Sequence, residues 1–146
     1  MTVAKTPITV RVVRTFGASP ERVFDAWLDP SRAKRFLFTA PGGEIVRCDI
    51  DARVGGAFTI VDRRGTEDIV HTGEYLEIVR PRRLAFMFFV ERYSVRPDRV
   101  TIDIVPTGEG CELTLTHEMG SDAAQYENQT REGWTMILDG LAATVA

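Results

Sequence analysis

The chain reads as an α+β fold: a curved antiparallel sheet of about six to seven strands wrapped around one long C-terminal helix, with two short helices after the first strand. Three observations predict it. A period-2 run from Ile8 to Phe16 passes through Gly17-Ala18 directly into helical sequence. Only strand-like runs and hairpin-length turns lie between residues 44 and 117. The last 25 or so residues carry apolar side chains at helical spacing around Gly133-Trp134.

In the first strand Ile8, Val10, Val12 and Phe16 alternate with Thr9, Arg11 and Thr15, so one face is buried. Ser19 suits an N-cap, Pro20 the first helical position, and Glu21 and Asp25 the positive end of the helix dipole. Val23, Phe24, Trp27 and Leu28 give that helix one apolar face, and Asp29-Pro30 stops it. Ser31 is expected to restart a short helix with Ala33, Phe36 and Leu37 inside, before the loop Ala40-Pro41-Gly42-Gly43. Strands are then predicted over Glu44 to Ile50, Ala57 to Asp62, Ile69 to Val79, Leu84 to Arg92, Val100 to Val105 and Cys111 to His117. Gly73 is the expected bulge or bend in the longest of them. Short turns make neighbouring strands antiparallel, and the first strand is expected to pair with the last. In the terminal helix Tyr126, Thr130, Trp134, Ile137 or Leu138, Leu141 and Val145 form one stripe. Gly133 and Gly140 each cost a helix about 1 kcal/mol. Their presence implies close approach of another backbone, or space left beside the helix.

The 146 residues suit one domain over 1–146, long enough to bury about two-thirds of the unfolded surface. Apolar residues at 44% and charged residues at 27% are ordinary globular values. A net charge of −3 argues against nucleic acid as a partner, because phosphate binding needs a basic face. The arginines at 63, 64, 80, 82 and 83 fall at turns, where they read as solvated charge. Cys48 and Cys111 form no CxxC pair and read as reduced thiols. Met1 to Pro7 lacks an apolar core, and the longest apolar run, Leu84 to Val90, is too short to cross a bilayer. The expectation is a cytoplasmic protein without membrane insertion.

His71 and His117 are the only histidines, and neither an HxH nor an HxxxH spacing joins them. No metal and no cofactor are expected, and the chain has no nucleophile elbow, Walker loop or dinucleotide fingerprint. His117 continues the alternation of Cys111, Leu113 and Leu115, which points it at the concave face near the start of the terminal helix. The plainer reading is a structural histidine bonded to backbone or carboxylate; the alternative is a ligand anchor or general base. His71 shares parity with Tyr75, which suggests a polar pair in the cavity wall. Arg14 shares parity with Val10 and Phe16 and needs a carboxylate if it faces inward, with recognition of an anionic ligand head as the alternative to structural pairing. Asp51 and Arg53 around Gly55-Gly56 read as a turn lock.

The aromatic residues are the best pointer to function. Phe36, Phe38, Phe58, Tyr75, Phe86, Phe88 and Trp134 lie on faces that can converge, together with Leu138, His71 and His117. Half of the aromatic set is expected simply to fill the core. A pocket burying about 300 Å² of an apolar ligand gains about 7 kcal/mol gross. Lost motion subtracts several of those, which leaves micromolar affinity as the expectation.

Several motifs resemble a known family. Ala18-Ser19-Pro20-Glu21-Arg22-Val23-Phe24-Asp25-Ala26-Trp27 is similar to the opening of START-like (SRPBCC) domains. Asp51 to Phe58, Gly73 to Ile78 followed by Pro81 to Phe86, Leu113 to His117 and Gly133-Trp134 resemble its AHSA-type branch, homologues of the activator of heat-shock-protein-90 ATPase. Phe36-Leu37-Phe38 stands where that branch often has a Trp-Trp pair. The resemblance implies a helix-grip fold and a cavity, and the family spans lipid carriers, cyclases and chaperone partners. Three functions follow as expectations. The first is a non-catalytic carrier or sensor of a small hydrophobic molecule. The second is an enzyme of cyclase, aromatase or hydrolase type, needing His71, His117, Tyr75 or Tyr93 in the cavity. The third is a chaperone-activator-like interaction module, needing an exposed apolar patch on the convex sheet or early helices. A homodimer through the exposed sheet or through Phe36-Leu37-Phe38 is a further expectation.

Overall fold

In the computed structural model, which describes residues 7–146, the strands are β1 (Ile8–Phe16), β2 (Glu44–Ile50), β3 (Ala57–Arg64), β4 (Glu67–Val79), β5 (Arg83–Val90), β6 (Asp98–Pro106) and β7 (Cys111–Met119). They form one antiparallel sheet ordered β1-β7-β6-β5-β4-β3-β2. The expected pairing of first and last strands holds from Ile8 opposite Met119 to Phe16 opposite Cys111. The expectation of no leader concerns mainly residues 1–6, which lie outside the described part.

Helix α1 (Pro20–Leu28) begins where the Ser19 hydroxyl accepts the Arg22 N–H at 3.2 Å. Helix α2 spans only Pro30–Ala33, and Asp29 rather than Ser31 caps it. Asp29 ends α1 with its own N–H and accepts the Ser31 N–H on its side chain at 3.0 Å, so one residue closes one helix and opens the next. The terminal segment is not one continuous helix. A 3₁₀ helix over Ser121–Tyr126 precedes α3 (Glu127–Val145). That 3₁₀ stretch buries no side chain, so packing does not impose α geometry on it. Tyr126 is 50% exposed and drops out of the expected stripe, whose buried members are Trp134, Leu138, Leu141 and Val145.

Two strand expectations also change. The bulge in β4 falls at Leu76, between the Tyr75–Phe86 and Glu77–Ala85 pairs, and not at Gly73. Gly73 stays in register because the Phe58 ring occupies the space a side chain would need. Strand β3 runs on through Arg64, since Arg63 pairs with Asp68 across the hairpin at 2.8 Å. The turn shrinks to Gly65-Thr66, with Gly65 at φ +63.

The core lies between the concave face and the second half of α3. Val100, Ile102, Ile104, Leu113 and Leu115 meet Leu138, Leu141 and Val145, with Phe24 and Trp27 of α1 closing one side. Phe36 packs edge-on against Trp27 at 5.3 Å. Phe36, Leu37 and Phe38 are all buried within this chain, so they cannot serve as the dimer contact considered from sequence. Arg14 reaches Asp139 on α3, the carboxylate an inward arginine requires. Arg53 meets Asp51 at 2.9 Å beside the Gly55-Gly56 turn, as the turn lock requires. The convex face carries a charge ladder rather than a bare apolar patch: Glu77 accepts from Arg83 at 3.2 Å and Arg99 at 2.9 Å, and Arg83 also meets Asp103 at 2.9 Å.

The two helix glycines answer to different causes. Nothing lies within 4 Å of a Cβ built on Gly133, whereas at Gly140 it would meet the Phe36 Cβ at 3.0 Å. Gly133→Ala should therefore raise stability by about 1 kcal/mol in urea denaturation. Gly140→Ala should lower it, because Phe36 is held by Trp27 and cannot give way.

Candidate functional site

The first half of α3 stands away from the sheet, and the chain between α2 and β2 fills part of that opening. Phe38 sits in this stretch at φ 63, an arrangement that costs a residue with a side chain about 1–3 kcal/mol. Its ring lies parallel to His71 at 4.5 Å and to Phe88 at 4.9 Å, and tilts against Trp134 at 5.9 Å. Burial and stacking of this ring offset the strain. Asp62 holds the same stretch from below. Wholly buried, it accepts the Ala40 N–H at 3.3 Å and the Arg64 Nε–H at 2.6 Å. A side chain at Gly43 would strike its carboxylate, so the close approach depends on glycine there.

His71 points inward from β4, with Nδ1 3.2 Å from the Ile60 carbonyl. Nδ1 therefore carries the proton and donates, and Nε2 keeps a lone pair. Burial pushes the pKa of this histidine down from 6.5 to about 4, so it is neutral at pH 7. His117 points inward from β7. Trp134 Nε1–H donates to His117 Nδ1 at 2.8 Å, and an indole nitrogen can only donate. The His117 proton is thereby placed on Nε2, which donates to Asp98 at 2.9 Å. Both ring nitrogens are committed, as the structural reading of His117 anticipates, and neither is free to take a substrate proton.

Between the loop, the ends of β3, β4 and β5, and the first half of α3 lies an open pocket of about 490 Å³. Of the ten residues proposed from sequence, Phe38, His71, Phe88, His117 and Trp134 line it. The other five do not. Phe36 packs under Gly140, Leu138 is fully buried, and Phe58, Tyr75 and Phe86 pack together behind the wall, with Phe58 5.6 Å from Tyr75, 5.4 Å from Phe86 and stacked on Phe38 at 6.1 Å. The His71–Tyr75 polar pair does not form, because the Phe58 ring fills the place of the missing Gly73 side chain between them. Burial pushes the Tyr75 hydroxyl pKa upward. Tyr93 is exposed, and its hydroxyl donates to Glu67. It lines a smaller cavity of about 260 Å³ that shares Phe88, His117 and Thr130 with the main pocket. Much of the remaining wall and rim, including Arg64, Gln129, Thr130, Glu132, Met136 and Ile137, was not proposed as a site from sequence. The available signal was the inward parity of β3, which carries Phe58 and Ile60 and then places Asp62 and Arg64 on the same face.

Burial, above all, raises the Cys48 thiol pKa, which keeps it protonated rather than a nucleophilic thiolate. Among the described residues no cluster of three His, Cys, Asp or Glu could hold a metal ion, and no helix is long and apolar enough to cross a membrane.

The family described as "Activator of Hsp90 ATPase homolog 1-like protein", AHSA1, matches residues 17–146. The chain belongs to this family. A crystal structure of a protein from Chromobacterium violaceum is 31% identical, with 94% of this chain and 96% of that chain covered and a TM-score of 0.83. A solution structure of an AHSA1-like protein from Aeromonas hydrophila is 21% identical, covering 94% and 92%, with a TM-score of 0.82. A protein from Nitrosomonas europaea is also 21% identical, covering 96% and 97%, with a TM-score of 0.82; likeness at this level speaks for the fold. Among curated proteins none matches the chain. Membership in the AHSA1 family, with its START-like helix-grip shape, supports a ligand-binding or activator-like module.

Two outcomes test this geometry. Trp134→Phe leaves His117 Nδ1 buried without a donor and should cost about 1–3 kcal/mol, while long-range ¹⁵N–¹H spectra of the native protein should show the Nε2–H tautomer of His117. His71 makes stability depend on pH. The unfolded chain takes up its proton near pH 6.5, the folded protein only near pH 4. The unfolded state therefore holds more protons between those values, and stability falls as pH is lowered through that window, by about 3 kcal/mol in total. His71→Gln should flatten this part of the stability profile.

Proposed function

We propose that the pocket binds a small hydrophobic molecule between the sheet and the first half of α3, without chemical conversion. The observation that carries this reading is the gap of about 490 Å³ beside Gly133, bordered by Phe38, Phe88, Trp134 and Ile137. A fold that needed only a packed core would fill that gap with a larger residue at 133, gaining helix propensity as well. An apolar wall with a few fixed polar groups is the usual character of a ligand site. The commitment of both His117 nitrogens favours holding a ligand over proton transfer.

Fluorescence titration with N-phenyl-1-naphthylamine, an uncharged aromatic probe, tests the reading. Binding in the micromolar range is expected, with quenching or energy transfer from Trp134. Gly133→Leu fills the gap and should weaken binding at least about tenfold while circular dichroism stays native. Unchanged binding in that variant would place the probe elsewhere and refute the site. Native mass spectrometry of the purified protein should reveal any co-purified small molecule.

A further inference from the structure

Among the described residues Arg64 is the one cation on the pocket wall, and the geometry points to recognition of a carboxylate there: the ligand class is an apolar, ring-bearing acid with a single negative charge. This rests on the pocket being the ligand site and adds which chemistry it selects.

Arg64 follows Phe58, Ile60 and Asp62 on the inward face of β3. A guanidinium has five N–H donors in a rigid fork. Only Nε–H is spent, on Asp62 at 2.6 Å, and among the described residues no other acceptor or carboxylate meets the group. Asp62 does not line the pocket; it stands behind the wall, wholly buried, and is itself held by the Ala40 N–H. It therefore grips Arg64 by the Nε edge and leaves the two Nη groups for a partner from the pocket. A free surface arginine must be immobilised when it binds; this one is already oriented. The fork matches the two oxygens of a carboxylate.

Asp62 also balances Arg64 at a distance, so the site offers directed donors rather than a broad positive field. Among the described residues the one carboxylate lining the pocket is Glu132, which is exposed on α3 and forms no ion pair with Arg64. His71, neutral at pH 7, adds no competing charge. The parallel rings of Phe38, His71 and Phe88 give the apolar body of such a ligand a flat wall to rest against.

Calorimetric titration of the wild-type protein with naphthalene-2-carboxylate and its isosteric neutral amide, naphthalene-2-carboxamide, decides the matter. The acid should bind about tenfold tighter at low salt, and the difference should narrow as salt is added. Arg64→Gln should bring the acid to the level of the amide and leave the amide unchanged. Arg64→Lys should retain part of the preference, because an ammonium keeps the charge without the fork. Glu132→Gln should strengthen the acid alone. Equal binding of acid and amide by the wild type overturns the inference and leaves the apolar site standing. A preference that survives Arg64→Gln also overturns it. If neither compound binds, the ligand site and the inference fall together. The wild-type comparison needs no variant, so a poorly folding Arg64→Gln protein does not shield the inference.

Discussion

The hydrogen bond from the Trp134 indole to His117 fixes where α3 leaves the sheet. It is the point where α3 changes from a helix pressed into the core to one that stands clear of it. On the C-terminal side Leu138, Leu141 and Val145 lie against the strands. On the N-terminal side the helix borders the pocket. Because Asp98 takes the other ring nitrogen, the indole N–H and both His117 nitrogens have partners. A buried polar group satisfied in this way favours one arrangement over its neighbours. It also defines what His117 contributes to the pocket, which is a fixed wall rather than a mobile proton.

The opposite wall rests on a different balance. Phe38 adopts a backbone conformation that side chains disfavour, and four aromatic neighbours and a buried carboxylate keep it there. Asp62 joins the two halves of this wall, since one of its oxygens receives both the loop N–H at Ala40 and the Arg64 side chain. The loop that shapes the pocket and the residue that gives it charge are therefore positioned by the same group.

Most of the fold was legible because its signals are local. Ser19-Pro20 marks a helix start, alternation marks a strand, and short turns force antiparallel neighbours. The errors fell where local signals compete. Asp29 outranked Ser31 as a cap because it could serve two helices at once. Gly73 looked like a bulge, but it is a vacancy for a ring that comes from β3, a contact between residues fifteen positions apart by number and invisible to parity along β4. The site was half legible for the same reason. Inward facing could be read from alternation, so His71 and His117 were found. Whether an inward aromatic fills the core or borders a gap depends on where α3 leaves the sheet, and that is decided by Trp134 and its partner. Asp62 and Arg64 carried a readable parity, but their position at a hairpin end masked it as ordinary turn charge.

The split along α3 has a consequence for how such a chain can diverge. The turns that secure the fold lie mostly C-terminal to those that face the pocket, the two meeting at Trp134 to Leu138, and the rim is completed by strand ends and a loop. Substitutions at the rim can accumulate with little folding penalty, while Leu138, Leu141 and Val145 stay under packing constraint. That division lets the pocket lining change on an almost unchanged scaffold. A relative only 21% identical still superposes at a TM-score of 0.82, so the fold persists while most residues change.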